Sequence, residues 1–522
     1  MIKRNSILSV CRIFIYSFLC LALVVPGSAF ADTISLTIEP TRGYAGDSVI
    51  ASGTAGHSEW VTIKGLDGEG SIVYLNSIMS DENGNYSDTF RIPDIPPGEL
   101  RLIAGYGSNI ITELFTVAAS RSGGGGGRNV AHTYKAVVSR NSKPETNLPV
   151  NVNSDKDRAT VNLETLTGDI FTGKERTTVI VPSIHGVTSY TLGIPADTMS
   201  RSQREGALTF STDPGSITIG DNMLSGISET EGKETCITIG EGNKSHLPDE
   251  IKAAIGERPL VQLTLTVDGE QTQWNNPEAP VMVAIPYIPT EEELKDPEHI
   301  TIWYIDGEGN VVEVPSGRYD PATGLVTFTT THFSKYAVVY VTKTFEDLES
   351  VAWAEKQIEV LASKGILKGT LEKEYAPQTN ITRADFLYFF VRTLGVDAKV
   401  DENFDDISED AYYYKEIAIA KKLGITNGIG NNKFNPNESI TRQDMMTLTE
   451  RALRMLKKLE QQGTASDLEK FVDQSSIAAY AVDSVASVVK EGLIVGSADK
   501  INPLGNTTRA ETAVFLYRIY NK

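Results

Sequence analysis

Arg383, Arg442 and Arg509 share one setting. Each follows a threonine (Thr382, Thr441, Thr508), and an acid stands three residues after that threonine: Asp385, Asp444 and Glu511. A threonine with an acid at that spacing marks a helix start with a capping box, so each arginine falls on the first helical position. A helix start carries a partial positive charge of about +0.5, which disfavours a cation there. An anion would be favoured, held jointly by free backbone N–H groups and the guanidinium fork. Three such positions point to an acidic ligand met three times. The residues leave a second reading open, in which each arginine pairs with a carboxylate of a neighbouring repeat.

The elements that must position these arginines repeat with them. Each unit opens on a phenylalanine with an aspartate two residues on: Phe345 and Asp347, Phe404 and Asp406, Phe471 and Asp473. The interval from that phenylalanine to the arginine is 38 residues in all three units. A glycine pair follows the first helix (Gly365 and Gly369, Gly424 and Gly428, Gly492 and Gly496), then a turn at Pro377, Pro436 or Pro503. Ala354, Ile358, Leu361 and Ala362 share one helical face, and Phe386, Phe389, Phe390 and Leu394 make a buried stripe on the second helix. The first glycine of each pair stands where a helix takes a left-handed residue after its last turn. One unit has too little apolar surface to stand alone, so the three should pack together. Twelve residues before each first glycine stands an aromatic: Trp353, Tyr412 and Tyr480. Such rings suit either sugar C–H faces or packing between repeats.

This pattern resembles the S-layer-homology repeat. The Thr-Arg-Ala-Glu hallmark of that family stands here as Thr382-Arg383-Ala384-Asp385, Thr441-Arg442-Gln443-Asp444 and Thr508-Arg509-Ala510-Glu511. The resemblance implies an all-α pseudo-threefold bundle with grooves between repeats, and non-covalent attachment to a secondary cell-wall polysaccharide that often carries a pyruvate ketal. It implies that Arg383, Arg442 and Arg509 contact the ketal carboxylate. Trp353, Tyr412 and Tyr480, with Asp347, Asp406 and Asp473, would line the grooves or hold them open. Gln443-Asp444 departs from the hallmark, as do Tyr412 and Tyr480 from the commoner tryptophan, so one groove should bind weakly or not at all.

The rest of the chain carries no such periodicity. Its 522 residues suffice for three or four domains, and a formal charge of −20 argues against nucleic acid or an anionic membrane as partner. Residues 1–31 read as a secretory leader: Lys3, Arg4 and Arg12, an apolar run from Ile13 to Pro26, and Ala29-Phe30-Ala31 as cleavage site. Cys11 and Cys20 leave with it, so Cys236 has no partner for a disulfide. No later segment is apolar enough to span a membrane. Residues 32–118 alternate as short strands and resemble a bacterial immunoglobulin-like β-sandwich. Residues 119–129 are a Gly-rich linker containing Gly123–Gly127. Residues 130–342 form a β-rich middle region, with 199–256 less regular and one short helix at Leu247–Ile255. The repeats occupy 343–400, 401–460 and 468–522.

Thr331-His332-Phe333-Ser334, at the end of the middle region, is similar to the self-cleavage site of adhesion-receptor GAIN domains. That resemblance implies an N→O acyl shift, in which His332 takes the Ser334 proton and Ser334 attacks the Phe333 carbonyl. The six histidines show no metal-ligand spacing, and no phosphate loop, zinc-protease helix or nucleophile elbow is present. The sequence therefore predicts a secreted, non-catalytic envelope protein without cofactor or metal, able to self-associate in a surface layer. The rival readings are a wall-anchored polysaccharide-active enzyme built on the middle region, and an adhesin that binds through the N-terminal sandwich.

Overall fold

The structure is a computed structural model. It describes residues 34–119 apart from 57–59, 69, 71, 82, 94 and 107–108, and residues 134–522 apart from 141–142, 165–169, 172–175, 202–205 and 228–231. The leader and nearly all of the glycine linker lie outside the described residues. The chain divides into two compact units, one made of residues up to Gly68 with Asn76–Arg121, the other of Glu69–Leu75 with Ser122–Lys522.

The first unit is all β. Strand Ser48–Thr54 pairs with Thr37–Glu39 on one side and Asn85–Arg91 on the other. A second sheet runs through Arg42–Gly43, Asn109–Val117, Gly98–Tyr106 and Trp60–Leu66. Alternation is the cause: Val49, Ala51, Val61, Ile63, Leu100, Leu102 and Phe115 are all buried.

In the middle region two large sheets share one core. One carries Arg176–Ile180, Ala207–Ser211, Ser216–Gly220, Val281–Pro286 and Leu325–Thr330; the other carries Ser189–Pro195, Glu234–Glu241, Leu260–Val267, Lys335–Tyr340 and Ile300–Ile305. Phe210, Ile217, Val283 and Phe328 of the first pack in one cluster with Leu192, Ile237, Leu263 and Ile302 of the second. Strands Leu260–Val267 and Ile300–Ile305 lie where the alternation places them. The stretch read as irregular is a correction: it holds strands Ala207–Ser211, Ser216–Gly220 and Glu234–Glu241. Their Thr, Ser and Gly content hides the apolar alternation, which burial by the neighbouring sheet restores. The short helix is Asp249–Ile255, entered through Pro248.

The C-terminal part holds six of the seven α-helices of the described residues. Each repeat contributes a pair: Glu355–Ser363 and Arg383–Leu394, Tyr414–Lys422 and Arg442–Met455, Val482–Lys490 and Arg509–Tyr520. Packing runs between repeats. The first helix of repeat 2 packs on the second of repeat 1, the first of repeat 3 on the second of repeat 2, and the first of repeat 1 on the second of repeat 3. One core cluster runs through all three, from Leu348 to Tyr520. Gly365, Gly424 and Gly492 sit at φ +67°, +71° and +73°, as a helix stop requires.

The backbone closes the same ring. The amides of Arg383 and Ala384 donate to the carbonyls of Glu438 and Pro436 in repeat 2. Those of Arg442 and Gln443 donate to Gly505 and Pro503 in repeat 3, and those of Arg509 and Ala510 return to Thr379 and Pro377 in repeat 1. The proline turn of each repeat thus supplies acceptors to the helix start of the preceding one.

Repeat 1 and repeat 3 also dock on the middle region. Lys364 Nζ donates to the carbonyls of Ile300 (3.2 Å) and Gly317 (2.9 Å). The Tyr520 hydroxyl donates to Gly317 O at 3.2 Å, and Glu298 binds both Lys356 and the Tyr517 hydroxyl. Arg318 lies over the Tyr520 ring, 3.7 Å from its centroid.

Candidate functional site

The ring of amide bonds overturns one expectation. The first N–H groups of the three helices are not free for an anion, because carbonyls of the next repeat take them. The third amide of each helix binds the capping threonine: Asp385 N to Thr382 Oγ1 at 3.1 Å, Asp444 N to Thr441 Oγ1 at 3.2 Å, Glu511 N to Thr508 Oγ1 at 3.2 Å. Any anion at these sites must be met by side chains.

The arginines are explained in part by the same ring. Each Nε donates to a carbonyl of the next repeat: Arg383 to Phe434 O at 3.0 Å, Arg442 to Ile501 O at 2.9 Å, Arg509 to Tyr375 O at 2.8 Å. Arg383 and Arg509 are buried, and their guanidinium planes lie over Phe434 and Tyr375 at 4.9 and 4.7 Å. These bonds are structural, since they tie one repeat to the next.

The terminal guanidinium nitrogens differ among the three. Arg509 Nη1 reaches Asp385 Oδ2 at 3.3 Å, and its Nη2 donates to Lys368 O at 2.6 Å. Arg383 Nη1 lies 3.8 Å from Asp444 Oδ2. Among the described residues, no carboxylate comes within 4.0 Å of Arg442. The pairing of arginine with a neighbouring carboxylate therefore describes two of the three.

The aromatics follow the acids. The Tyr412 hydroxyl donates to Asp385, and the Tyr480 hydroxyl donates to Asp444 Oδ1 at 2.6 Å while accepting from Gln443 Nε2 at 3.2 Å. Burial, with the Asp444 hydrogen bond and charge adding to it, pushes the Tyr480 phenol up to about 12. Lys368 Nζ lies 2.9 Å from the centroid of the Tyr412 ring. Its pKa is lowered by burial first, with Asp385 pulling the other way. All three aromatics face solvent: Trp353 is 57% exposed, Tyr412 49% and Tyr480 59%.

The capping boxes divide in the same way. Only Thr508 and Glu511 close the reciprocal box, with Thr508 N donating to Glu511 Oε2 at 2.9 Å. The boxes expected at Thr382 and Thr441 are half made. Asp385 and Asp444 reach across to a tyrosine and an arginine, and Asp444 Oδ2 also accepts from the Thr441 hydroxyl at 2.8 Å.

Asp347, Asp406 and Asp473 each accept two backbone amides. Asp347 accepts from the amides of Tyr375 and Ala376 (2.9 and 2.7 Å), Asp406 from Phe434 and Asn435 (2.8 and 2.7 Å), Asp473 from Ile501 and Asn502 (3.0 and 2.8 Å). Ala376, Asn435 and Asn502 all have positive φ, so each carboxylate braces a left-handed turn. Burial alone would raise the Asp406 and Asp473 pKa values, but the backbone bonds outweigh it and hold both below the usual carboxylate range. The brace presents Phe434, Tyr375 and Ile501, whose carbonyls receive the arginines.

The three composite sites each draw on all three repeats. Asp385, Tyr412 and Arg509 form one, and Asp444, Tyr480 and Arg383 the second. By position Glu511, Trp353 and Arg442 form the third. The acids were legible only as cap residues and Lys368 not at all, because the sequence shows spacing along a repeat and not the cyclic order that brings repeats together.

His332 and Ser334 are not brought together as a base and nucleophile. The Ser334 hydroxyl donates to Ile305 O at 3.1 Å. His332 Nε2 is buried without a partner, and its ring stands edge-on to Tyr304 at 4.4 Å. The Phe333 ring packs on Trp274 at 4.7 Å. His332 lies at the wall of a cavity of about 720 Å³ between the middle region and repeats 1 and 2. Among the described residues, no group of three His, Cys, Asp or Glu side chains could hold a metal ion.

Residues 344–387, 403–446 and 470–513 match the model of the S-layer homology domain. An amylopullulanase of Thermoanaerobacterium thermosulfurigenes is 35% identical over 232 residues, covering 44% of this chain and 12% of that protein. Exoglucanase XynX of Acetivibrio thermocellus is 34% identical over 181 residues, covering 34% of this chain and 16% of the exoglucanase. The surface-layer 125 kDa protein of Lysinibacillus sphaericus is 30% identical over 170 residues, 32% of this chain and 14% of that one. This chain therefore spans between 12% and 16% of the length of these three relatives. No helix among the described residues is long and apolar enough to cross a membrane.

A ring of three helical repeats with composite sites between them is a closed repeat module. Its units are three S-layer homology domains, and the protein is a secreted cell-surface protein anchored on the cell wall.

Proposed function

We propose that the protein is a non-catalytic envelope protein, an S-layer component or an accessory to one. Its repeats form a pseudo-threefold bundle that grips an acidic secondary cell-wall polysaccharide, of which a pyruvylated sugar is the favoured form. The observation that carries this reading is the composite site: a guanidinium at a helix start beside an exposed aromatic and an acid from the other two repeats, formed at Arg509 and Arg383 and matched by position at Arg442. A carboxylated sugar offers the two matching groups, an anion for the guanidinium and a C–H face for the ring. Similarity to both glycan-degrading enzymes and a surface-layer protein supports an anchor that serves varied outward-facing parts.

The test is sedimentation of the protein with purified cell walls, before and after chemical removal of their polysaccharide. Binding is expected to vanish with the polysaccharide. Equal binding to stripped walls would overturn the reading.

A further inference from the structure

The three composite sites are not equivalent, and the difference lies in what already occupies each guanidinium. At Arg509 the anion position is taken by Asp385, whose other oxygen holds the Tyr412 hydroxyl. Lys368 covers the face of the Tyr412 ring. At Arg383 the neighbouring anion is Asp444, which also binds the Tyr480 hydroxyl, and Gln443 holds that hydroxyl from the other side. A sugar carboxylate entering the Arg509 site would have to displace Asp385, and one entering the Arg383 site would meet the negative charge of Asp444 3.8 Å from Nη1.

The third site lacks this arrangement. Glu511, the counterpart of Asp385 and Asp444, is held back in its own capping box by Thr508. Trp353 replaces the tyrosines and has no hydroxyl with which to bind an acid. Arg442 uses only Nε, on Ile501 O. Among the described residues its two terminal nitrogens have no hydrogen-bond or ion-pair partner. Arg442 is also the one arginine of the three that is not buried. Where the first site has Lys368, three residues after the first glycine, repeat 3 has Val495, which is 67% exposed.

We propose that the site of Arg442, Trp353 and Val495 is the one that takes the acidic sugar, and that Asp385 and Asp444 are built-in carboxylates filling the other two. The assignment rests on the function proposed above and deepens it. Arg442 offers four uncommitted N–H groups in a planar fork, which suits a carboxylate bound by two parallel hydrogen bonds. Trp353 and Val495, the positional counterparts of Tyr412 and Lys368, are exposed apolar side chains that suit the ring carbons of the same residue. The side chain at the third helical position therefore sets the selectivity: an aspartate there closes a site and a glutamate leaves it open.

The full secreted chain would be tested by sedimentation with native walls and with walls stripped of polysaccharide. Arg442→Gln and Trp353→Ala should each weaken binding to native walls by about tenfold or more. Arg442→Lys, which keeps the charge and loses the fork, should also weaken it. Asp385→Asn and Asp444→Asn should bind native walls more tightly than the unaltered protein, because they neutralise the internal anions. Circular dichroism on every variant separates lost binding from lost fold, and Trp353→Ala, at an exposed position, guards against unfolding of the Arg442 variants. If the unaltered protein requires the polysaccharide while folded Arg442→Gln and Trp353→Ala bind as tightly as it does, the assignment is overturned and the proposed function stands. If the unaltered protein binds stripped walls equally well, the proposed function falls and the assignment with it.

Discussion

Lys364 Nζ of the first repeat lies 2.9 Å from the carbonyl oxygen of Gly317 in the middle region, inside a contact that excludes water from the amine. Burial first, and the nearby Arg318 charge second, push its pKa down from 10.5 to about 7. A neutral amine still has two N–H groups, which match the carbonyls of Ile300 and Gly317.

The sign of the resulting pH dependence follows from linkage. An exposed lysine keeps its proton up to about pH 10, whereas buried Lys364 gives its proton up near 7. Between those values the unfolded state binds more protons, so stability rises with pH across that window and is lowest below 7. The melting temperature should be higher at pH 9 than at pH 6, by at least about 3 °C. Lys364→Met should flatten this slope. It should also lower the melting temperature at pH 9, since two buried carbonyls lose their donor at about 1–3 kcal/mol. Calorimetric scans at the two pH values on both proteins check it.

The two glycines of a repeat should respond differently to alanine. At Gly424 an added Cβ meets nothing within 4 Å, so only the left-handed backbone at φ +71° is penalised, by about 1 kcal/mol. At Gly428, with φ +68°, the Cβ would also stand 2.7 Å from Phe404 Cε1 and collide with the Lys433 carbonyl. Gly428→Ala should cost about 3 kcal/mol or more. Urea unfolding of the two variants gives the comparison, and equal midpoints would contradict the packing described.

Asp406 should matter for stability at neutral pH. Asp406→Ala leaves the amides of Phe434 and Asn435 without their charged acceptor, at a cost of about 1–3 kcal/mol. Because the folded pKa is depressed, this stabilisation is present above the ordinary aspartate pKa of 3.8 and is lost as pH falls through the lower folded value. The difference between Asp406→Ala and the unaltered protein should therefore shrink in strong acid, measured by denaturant midpoints at pH 7 and pH 3.

The chain should not cut itself at Phe333-Ser334. Ser334 is engaged with Ile305 O, and His332 lies against Tyr304. Incubated at pH 8, the purified protein should give one intact mass, and Ser334→Ala should give an indistinguishable time course. Two fragments meeting at that bond would show that another conformation carries the chemistry.

Much of this molecule is legible along the chain because local rules set it. Thr382, Thr441 and Thr508 mark helix starts, Gly365, Gly424 and Gly492 mark helix ends, and runs such as Leu260–Val267 alternate as strands must. Those signals depend on a few neighbouring residues and on dihedral angles that glycine alone adopts cheaply. The strands between 207 and 241 escaped because threonine, serine and glycine disguise a face that becomes apolar only when another sheet covers it.

What spacing alone established was that three arginines occupy equivalent helix starts. Tertiary structure decided what each one meets. Closing the repeats into a ring gives the helix-start amides to carbonyls of the next repeat, and brings Asp385 to Arg509 across 124 residues of sequence. Among the described residues it also leaves Arg442 without a carboxylate partner, while Glu511 is bound in its own cap. Equivalence in sequence becomes inequivalence in space because hydrogen bonds and charge pairs act over a few ångströms, and only the folded ring determines which groups lie that close.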